Sequence, residues 1–208
     1  MAVVVLVSGR GSNMQALLEA GIPVSAVISN EAGAAGLALA AGRGVATRTV
    51  EHRRFAGRAE FDAALAAEID RFAPKLVVLA GFMRVLTPGF VARYAQKLLN
   101  IHPSLLPAFP GLDTHERALA AGVQVHGCTV HFVTAELDHG PIDIQAALGV
   151  RPNDTVQTLS ARVLALEHQV YPRAVRWFLE DRLVVENGRV RVKGEHAEGH
   201  PQLVLARD

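Results

Sequence analysis

An amide and an imidazole, Asn100 and His102, stand two residues apart inside the apolar run LLNIHPSLLPAFPG at 98–111. An amide N–H beside a ring that can carry charge suits a carbonyl oxygen that turns negative in a transition state. Prolines at 103, 107 and 110 follow. They remove N–H donors and fix φ, so the loop after the pair is expected to hold its shape without regular hydrogen bonding. A carboxylate would pair with the imidazolium, and Asp138, in TAELDHGPI, is the leading candidate from elsewhere in the chain. Taken one at a time, these residues also fit a histidine satisfied within its loop and an aspartate at an ordinary turn.

A second constellation is SGRGSNM at 8–14, between an apolar run and a helical pattern. Backbone N–H groups at a helix N-terminus, approached closely across glycines, make an anion site, and phosphate is the usual occupant. The dinucleotide fingerprint fails because Met14 stands where a third glycine belongs, although Glu31 falls near the distance for a ribose contact. The other nucleotide loop needs a Gly-Lys-Ser/Thr ending, which is absent. A phosphate without a dinucleotide is the expectation, and a tight turn of small residues is the alternative. His115, His126, His131 and His139 show no HExxH or CxxC spacing, so no metal is expected. His131 alternates with Val130 and Phe132 and reads as the polar face of a strand. Cys128, in HGCTVHFV, reads as a buried structural thiol.

The elements that must position these groups alternate between apolar β-branched runs and helical patterns. That alternation predicts an α/β, Rossmann-like, mostly parallel sheet with helices on both faces and an antiparallel edge. Strands are expected at Val3 to Val7, Val24 to Ser29, Val45 to Val50, Leu76 to Ala80 and from Leu98. The first helix is expected to open on a capping box of Ser12 and Gln15 and to stop at Gly21. Phe61, Leu65, Ile69 and Phe72 define a helix ended by Pro74, and AGAAGLALAAGRG a small-residue helix. VHGCTVHFV and IDIQAALGV form the expected antiparallel edge pair. Asp154 is expected to cap a long helix that Pro172 kinks, and Asn187-Gly188 to turn a hairpin. If the strands are parallel, the loop after the first strand, the turn Gly81-Phe82-Met83-Arg84, and Asn100 to His102 gather on one sheet edge.

With 208 residues, half of them hydrophobic and a fifth charged, the chain can build a full core without staples. It reads as one domain over residues 1–193 with a tail at 194–208. A net charge of +1 supplies no basic surface for nucleic acid or an anionic membrane. One cysteine excludes an internal disulfide and fits a reducing cytoplasm. The N-terminal apolar run is too short for a signal peptide or a membrane span.

The chain resembles the folate-dependent formyltransferase family, in the branch that formylates glycinamide ribonucleotide. The resemblance rests on VVLVSGRGSNMQALLEA, DRFAPKLVVLAGFMRVL and the long run from LLNIHPSLLP to LDHGPIDIQAAL. It covers residues 1 to about 180. It implies an enzyme of purine synthesis that moves a formyl group from 10-formyltetrahydrofolate, a cosubstrate, to the amino group of glycinamide ribonucleotide, without a metal. By position it implies Asn100, His102 and Asp138 as the catalytic trio, and Gly11, Ser12, Asn13 and Glu167 as ribonucleotide contacts. Arg58, Met83, Arg84, Val85, Leu86, Asn100, Thr134, Ala135, Glu136, Leu137 and Asp138 are implied as folate contacts. Read without the resemblance, Arg58 is a solvated helix-end charge, Glu167 an exposed helical residue, and Met83 to Leu86 packing under a turn. The rivals are a formyltetrahydrofolate deformylase and a non-enzymatic nucleotide-binding sensor. A methionyl-tRNA formyltransferase would need a further RNA-binding domain and basic charge. A homodimer is the commonest assembly for such a chain.

Overall fold

The structure, a computed structural model, describes residues 2–194 and 202–206. They group into two compact units. One holds the residues up to Asn100 with Val133–Ala135, the other Ile101–Phe132 and the described residues from Glu136 onward.

In the first unit β1 (Val3–Val7), β2 (Val24–Ser29), β3 (Ala46–Thr49), β4 (Leu76–Leu79) and the first half of β5 (Leu98–His102) run parallel, in the order β3-β2-β1-β4-β5. Every residue of β1 is buried, as expected of a central parallel strand covered on both faces. Four helices connect the strands: α1 (Ser12–Glu19), α2 (Ala35–Gly42), α3 (Arg58–Asp70) and α4 (Pro88–Arg93). The predicted stripe on α3 is real: Phe61, Leu65 and Ile69 are buried in one cluster with Leu6, Ile28 and Leu79. Side chains of this kind contribute about 1.5–3 kcal/mol each on burial. Strand order reverses between β1 and β4, since β2 and β3 lie to one side and β4 and β5 to the other. In open α/β sheets ligands collect outside the carboxyl ends of strands at such a reversal.

The second unit contains α5 (Thr114–Ala120), β6 (Val125–Phe132), β7 (Ile142–Gly149), the 24-residue α6 (Val156–Leu179), the hairpin β8 (Leu183–Glu186) and β9 (Arg189–Val192), and β10 (Leu203–Leu205). Antiparallel β6 and β7 pair as predicted, with a bulge between Val130 and His131. Asn187 and Gly188 both take positive φ, 51° and 74°, as a tight hairpin turn requires.

Several expectations are corrected. Ser12 does not cap α1; it is the first helical residue, and Gly11 occupies the N-cap at φ 77°. The cause is close packing. A Cβ on Gly11 would lie 2.7 Å from the Cα of Gly36, so the helix must begin on a bare glycine, and Gln15 bonds Glu19 instead. Thr155, not Asp154, caps α6, through a reciprocal pair with Thr158; Asp154 binds the hydroxyl of Thr158 and the guanidinium of Arg162. Pro172 sits inside one uninterrupted helix. The β6–β7 pair is not an edge, because β10 runs parallel to β7 on its outer side. Of the tail expected from Gly194, residues 195–201 and 207–208 lie outside the described residues, while Leu203–Leu205 make β10. Asn100 and His102 lie within β5 rather than after it. The short helices α4 and α5, six and seven residues long, give too little periodicity to be read from sequence.

Candidate active site

In the first unit the glycine loop follows β1, and the turn Gly81 to Leu86 follows β4, at the strand-order reversal. The two are joined: the Ser8 N–H donates to the Gly81 carbonyl at 3.1 Å, and the Met83 N–H donates to Ser8 Oγ at 2.8 Å. Ser8 Oγ in turn donates to Asn30, just past β2, at 2.5 Å. Three strand ends are thereby stitched together.

Gly36 N–H donates to the Gly9 carbonyl at 3.0 Å, fixing the loop against the start of α2. Gly11, at the N-cap of α1, has no side chain with which to cap the helix. The first turn of a helix points N–H groups and a partial positive charge at an anion. Met83 and Val85 are exposed, whereas Leu86 is buried. The Arg84 guanidinium lies over the Phe61 ring, 5.6 Å from its centroid. Thr87 closes the turn by capping α4, and its N–H donates to Asp62. Arg58 opens α3 and is exposed. Asn100 ends the first unit's share of β5, paired in register with Leu79. Val133 leads into Thr134 and Ala135, and its N–H donates to the Leu98 carbonyl.

In the second unit His102 is 5% exposed, and its Nδ1 lies 3.5 Å from Asp138 Oδ2. Its Nε2 is 2.9 Å from the Phe109 carbonyl. A carbonyl only accepts, so Nε2 carries a proton and Nδ1 is the nitrogen left toward Asp138. Asp138 takes positive φ, 56°, in the turn after Glu136 and Leu137. Its Oδ2 also accepts from the Gly111 N–H at 2.8 Å. The proline-bearing loop thus touches both members of the pair.

The carbonyls of Pro103, Ser104, Leu105, Leu106, Ala108, Phe109 and Pro110 all accept hydrogen bonds, from side chains of β5, β6, β7, α5 and Ser104 and from one loop N–H. The expectation that prolines would shape this loop without regular hydrogen bonding is corrected: hydrogen bonds hold most of its carbonyls.

The structure corrects the reading of His131. It is 2% exposed rather than on a solvated face, and its Nε2 lies 3.7 Å from Asp138 Oδ1. Burial lowers its pKa. His126, pushed down to about 4 mainly by burial, lies 3.2 Å from His115, which burial also lowers; both are therefore neutral at pH 7. Thr129 and Gln145, paired across β6 and β7, were not read from the sequence at all. Strand alternation puts Thr129 and His131 on one face, but does not say that the face meets a loop instead of water.

Glu167 lies on α6 and is 6% exposed, not solvated. Burial, and then the charge of Glu167, push the Cys128 thiol and the Tyr171 phenol upward. Cys128 is inert as a nucleophile for that reason. Among the described residues no group of three or more His, Cys, Asp or Glu side chains gathers as a metal site would require.

The first unit thus carries a glycine loop at the strand-order reversal of a parallel sheet, and the second an Asp-paired histidine at the last residue of β5. The chain belongs to the formyl transferase family, whose model matches residues 1–175. It is 47% identical over 201 residues to the phosphoribosylglycinamide formyltransferase of Escherichia coli, covering 94% of this chain and 95% of that one. The phosphoribosylglycinamide formyltransferase structure from Coxiella burnetii matches with a TM-score of 0.89 at 48% identity, covering 94% of each chain. A formyltetrahydrofolate deformylase from Burkholderia mallei matches less closely, with a TM-score of 0.83 at 31% identity, and only 69% of that chain is covered.

Proposed function

We infer that the chain transfers the formyl group of 10-formyltetrahydrofolate to the amino group of glycinamide ribonucleotide, giving the N-formyl ribonucleotide and tetrahydrofolate in purine synthesis. The observation that carries this is the His102–Asp138 pair, with Nε2 committed to a carbonyl and Nδ1 facing the carboxylate at 3.5 Å. Reading the first turn of α1 as the phosphate site adds a substrate that bears a phosphate.

The neutral amine attacks the formyl carbon, and a tetrahedral intermediate forms with a negative oxygen. Asn100 donates to that oxygen through its amide, and His102 as imidazolium through Nδ1–H, the ring N–H that the Phe109 carbonyl does not hold. Asp138 stays ionised, holds the imidazolium by charge, and orients a water that takes the proton from the attacking nitrogen and delivers one to N10 of the folate as the C–N10 bond breaks. No covalent enzyme intermediate is required. Gly11, Ser12 and Asn13 take the phosphate, and Glu167 takes the sugar hydroxyls. Arg58, Met83 to Leu86, and Thr134 to Asp138 take the folate.

No described helix is long and apolar enough to cross a membrane. A buried, inert thiol as the sole cysteine agrees with a reducing cytoplasm. Incubation with 10-formyltetrahydrofolate and glycinamide ribonucleotide tests the reading. Formyl-ribonucleotide and tetrahydrofolate should appear in equal amounts. Folate release without the acceptor would make the chain a deformylase, and nucleotide binding without turnover would leave it a sensor.

A further inference from the structure

We propose that Gln145, which touches neither His102 nor Asp138, is a positioning residue that sets the ring orientation of His102, and with it the tautomer of the neutral ring, through the proline-bearing loop. The proposal rests on the reading of His102 as the group that polarises the formyl oxygen.

The chain of contacts starts at the ring. His102 Nε2–H is held by the carbonyl of Phe109, and Phe109 takes φ 53°, a left-handed conformation that a bulky residue does not choose unaided. Something must pin the loop upstream. Gln145 does so with both hydrogens of its amide. One goes to the Leu106 carbonyl at 2.9 Å, the other to Thr129 Oγ1 at 3.0 Å. The Thr129 hydroxyl donates to the Ser104 carbonyl at 2.7 Å and accepts from the Leu106 N–H at 3.0 Å. The hydroxyl's one hydrogen and two lone pairs are then all used, and so are both amide hydrogens.

No residue of smaller hydrogen-bonding capacity closes this clasp. A carboxylate offers no hydrogens, and a thioether neither donates nor accepts usefully. Without it, Leu106 O and one lone pair of Thr129 lose partners in a buried place, and the loop relaxes toward other acceptors. The Phe109 carbonyl then no longer selects Nε2–H, and part of the population places its proton on Nδ1.

Long-range proton–nitrogen NMR of the full chain, at about pH 9 where imidazoles are neutral, reads the His102 tautomer without substrate. The wild type should show Nε2–H alone, and Gln145→Met a mixture. In turnover, Gln145→Met should lower kcat about 10- to 100-fold with both KM values within about twofold, as misplacement of a reacting group does. Thr129→Ser should keep the wild-type spectrum and kcat, whereas Thr129→Val should match Gln145→Met. This Thr129 pair decides the matter if Gln145→Met does not fold. An unchanged His102 pattern in Gln145→Met, or equal losses in Thr129→Ser and Thr129→Val, overturns the proposal. Because the spectrum needs no reaction, failure of the assigned chemistry would show separately, as a shifted tautomer with undiminished kcat.

Discussion

Asp143 sits on β7 with no exposed surface, and neither carboxyl oxygen has a hydrogen-bond partner among the described residues. Burial pushes its pKa up to about 8. The folded chain therefore keeps this proton up to about pH 8, while an unfolded chain releases it near pH 4. Across that window the unfolded state binds fewer protons, so the Asp143 contribution to stability falls as pH rises, then levels off above about 8. At 1.36 kcal/mol per pH unit, the three units from pH 4 to pH 7 amount to about 4 kcal/mol of lost stability. Asp143→Asn keeps the shape and removes the charge. At pH 7 it should gain a few kcal/mol, which for a chain of this length raises Tm by roughly 5–15 °C. At pH 4 the two proteins should unfold within a few degrees of each other. Thermal unfolding of both between pH 4.5 and 8.5 gives the difference curve, in which the other carboxylates cancel. A difference independent of pH would refute the reasoning, because it would mean that Asp143 folds already ionised.

Other substitutions test other links. His102→Ala and Asp138→Asn should each lose about 10²–10³ in kcat, on the order of 3–4 kcal/mol of transition-state stabilisation, with Tm nearly unchanged; near-normal turnover would remove that residue from the mechanism. Gly11→Ala combines a positive φ with a Cβ 2.7 Å from Gly36 Cα, so the loop must move; KM for the ribonucleotide should rise at least about tenfold, with the folate KM little changed. Gly127→Ala would place a Cβ 1.9 Å from the Ala146 carbonyl oxygen across the β6–β7 pair. It should cost more than about 4 kcal/mol and leave little soluble folded protein; an unaltered Tm would contradict the strand register.

The strands and the two long helices were legible because burial writes itself as β-branched runs and helical stripes. Val3–Val7 and the Phe61, Leu65, Ile69 stripe needed nothing else. Helix starts were less legible, since the choice between Ser12 and Gly11, or Asp154 and Thr155, depends on what packs against the first turn. Gly36 settles the first of these from 25 positions away in the chain. Asn100, His102 and Asp138 were nameable by residue type and motif. That His102 and Asp138 meet is a tertiary fact that the sequence spacing of 36 residues does not contain. His131, Thr129 and Gln145 escaped because alternation assigns a face without naming what covers it. Glu167 read as solvated because a carboxylate on a helix normally is.

The loop from Pro103 to Pro110 has its carbonyls almost wholly committed before any substrate arrives. Its ordering entropy, on the order of 1–2 kcal/mol per residue, therefore belongs to folding and is absent from the binding equilibrium. A ligand that meets this loop finds those carbonyls already partnered, so the loop has only its N–H groups and side chains to offer it, and the hydrogen bonds that shape it need not be formed again on binding.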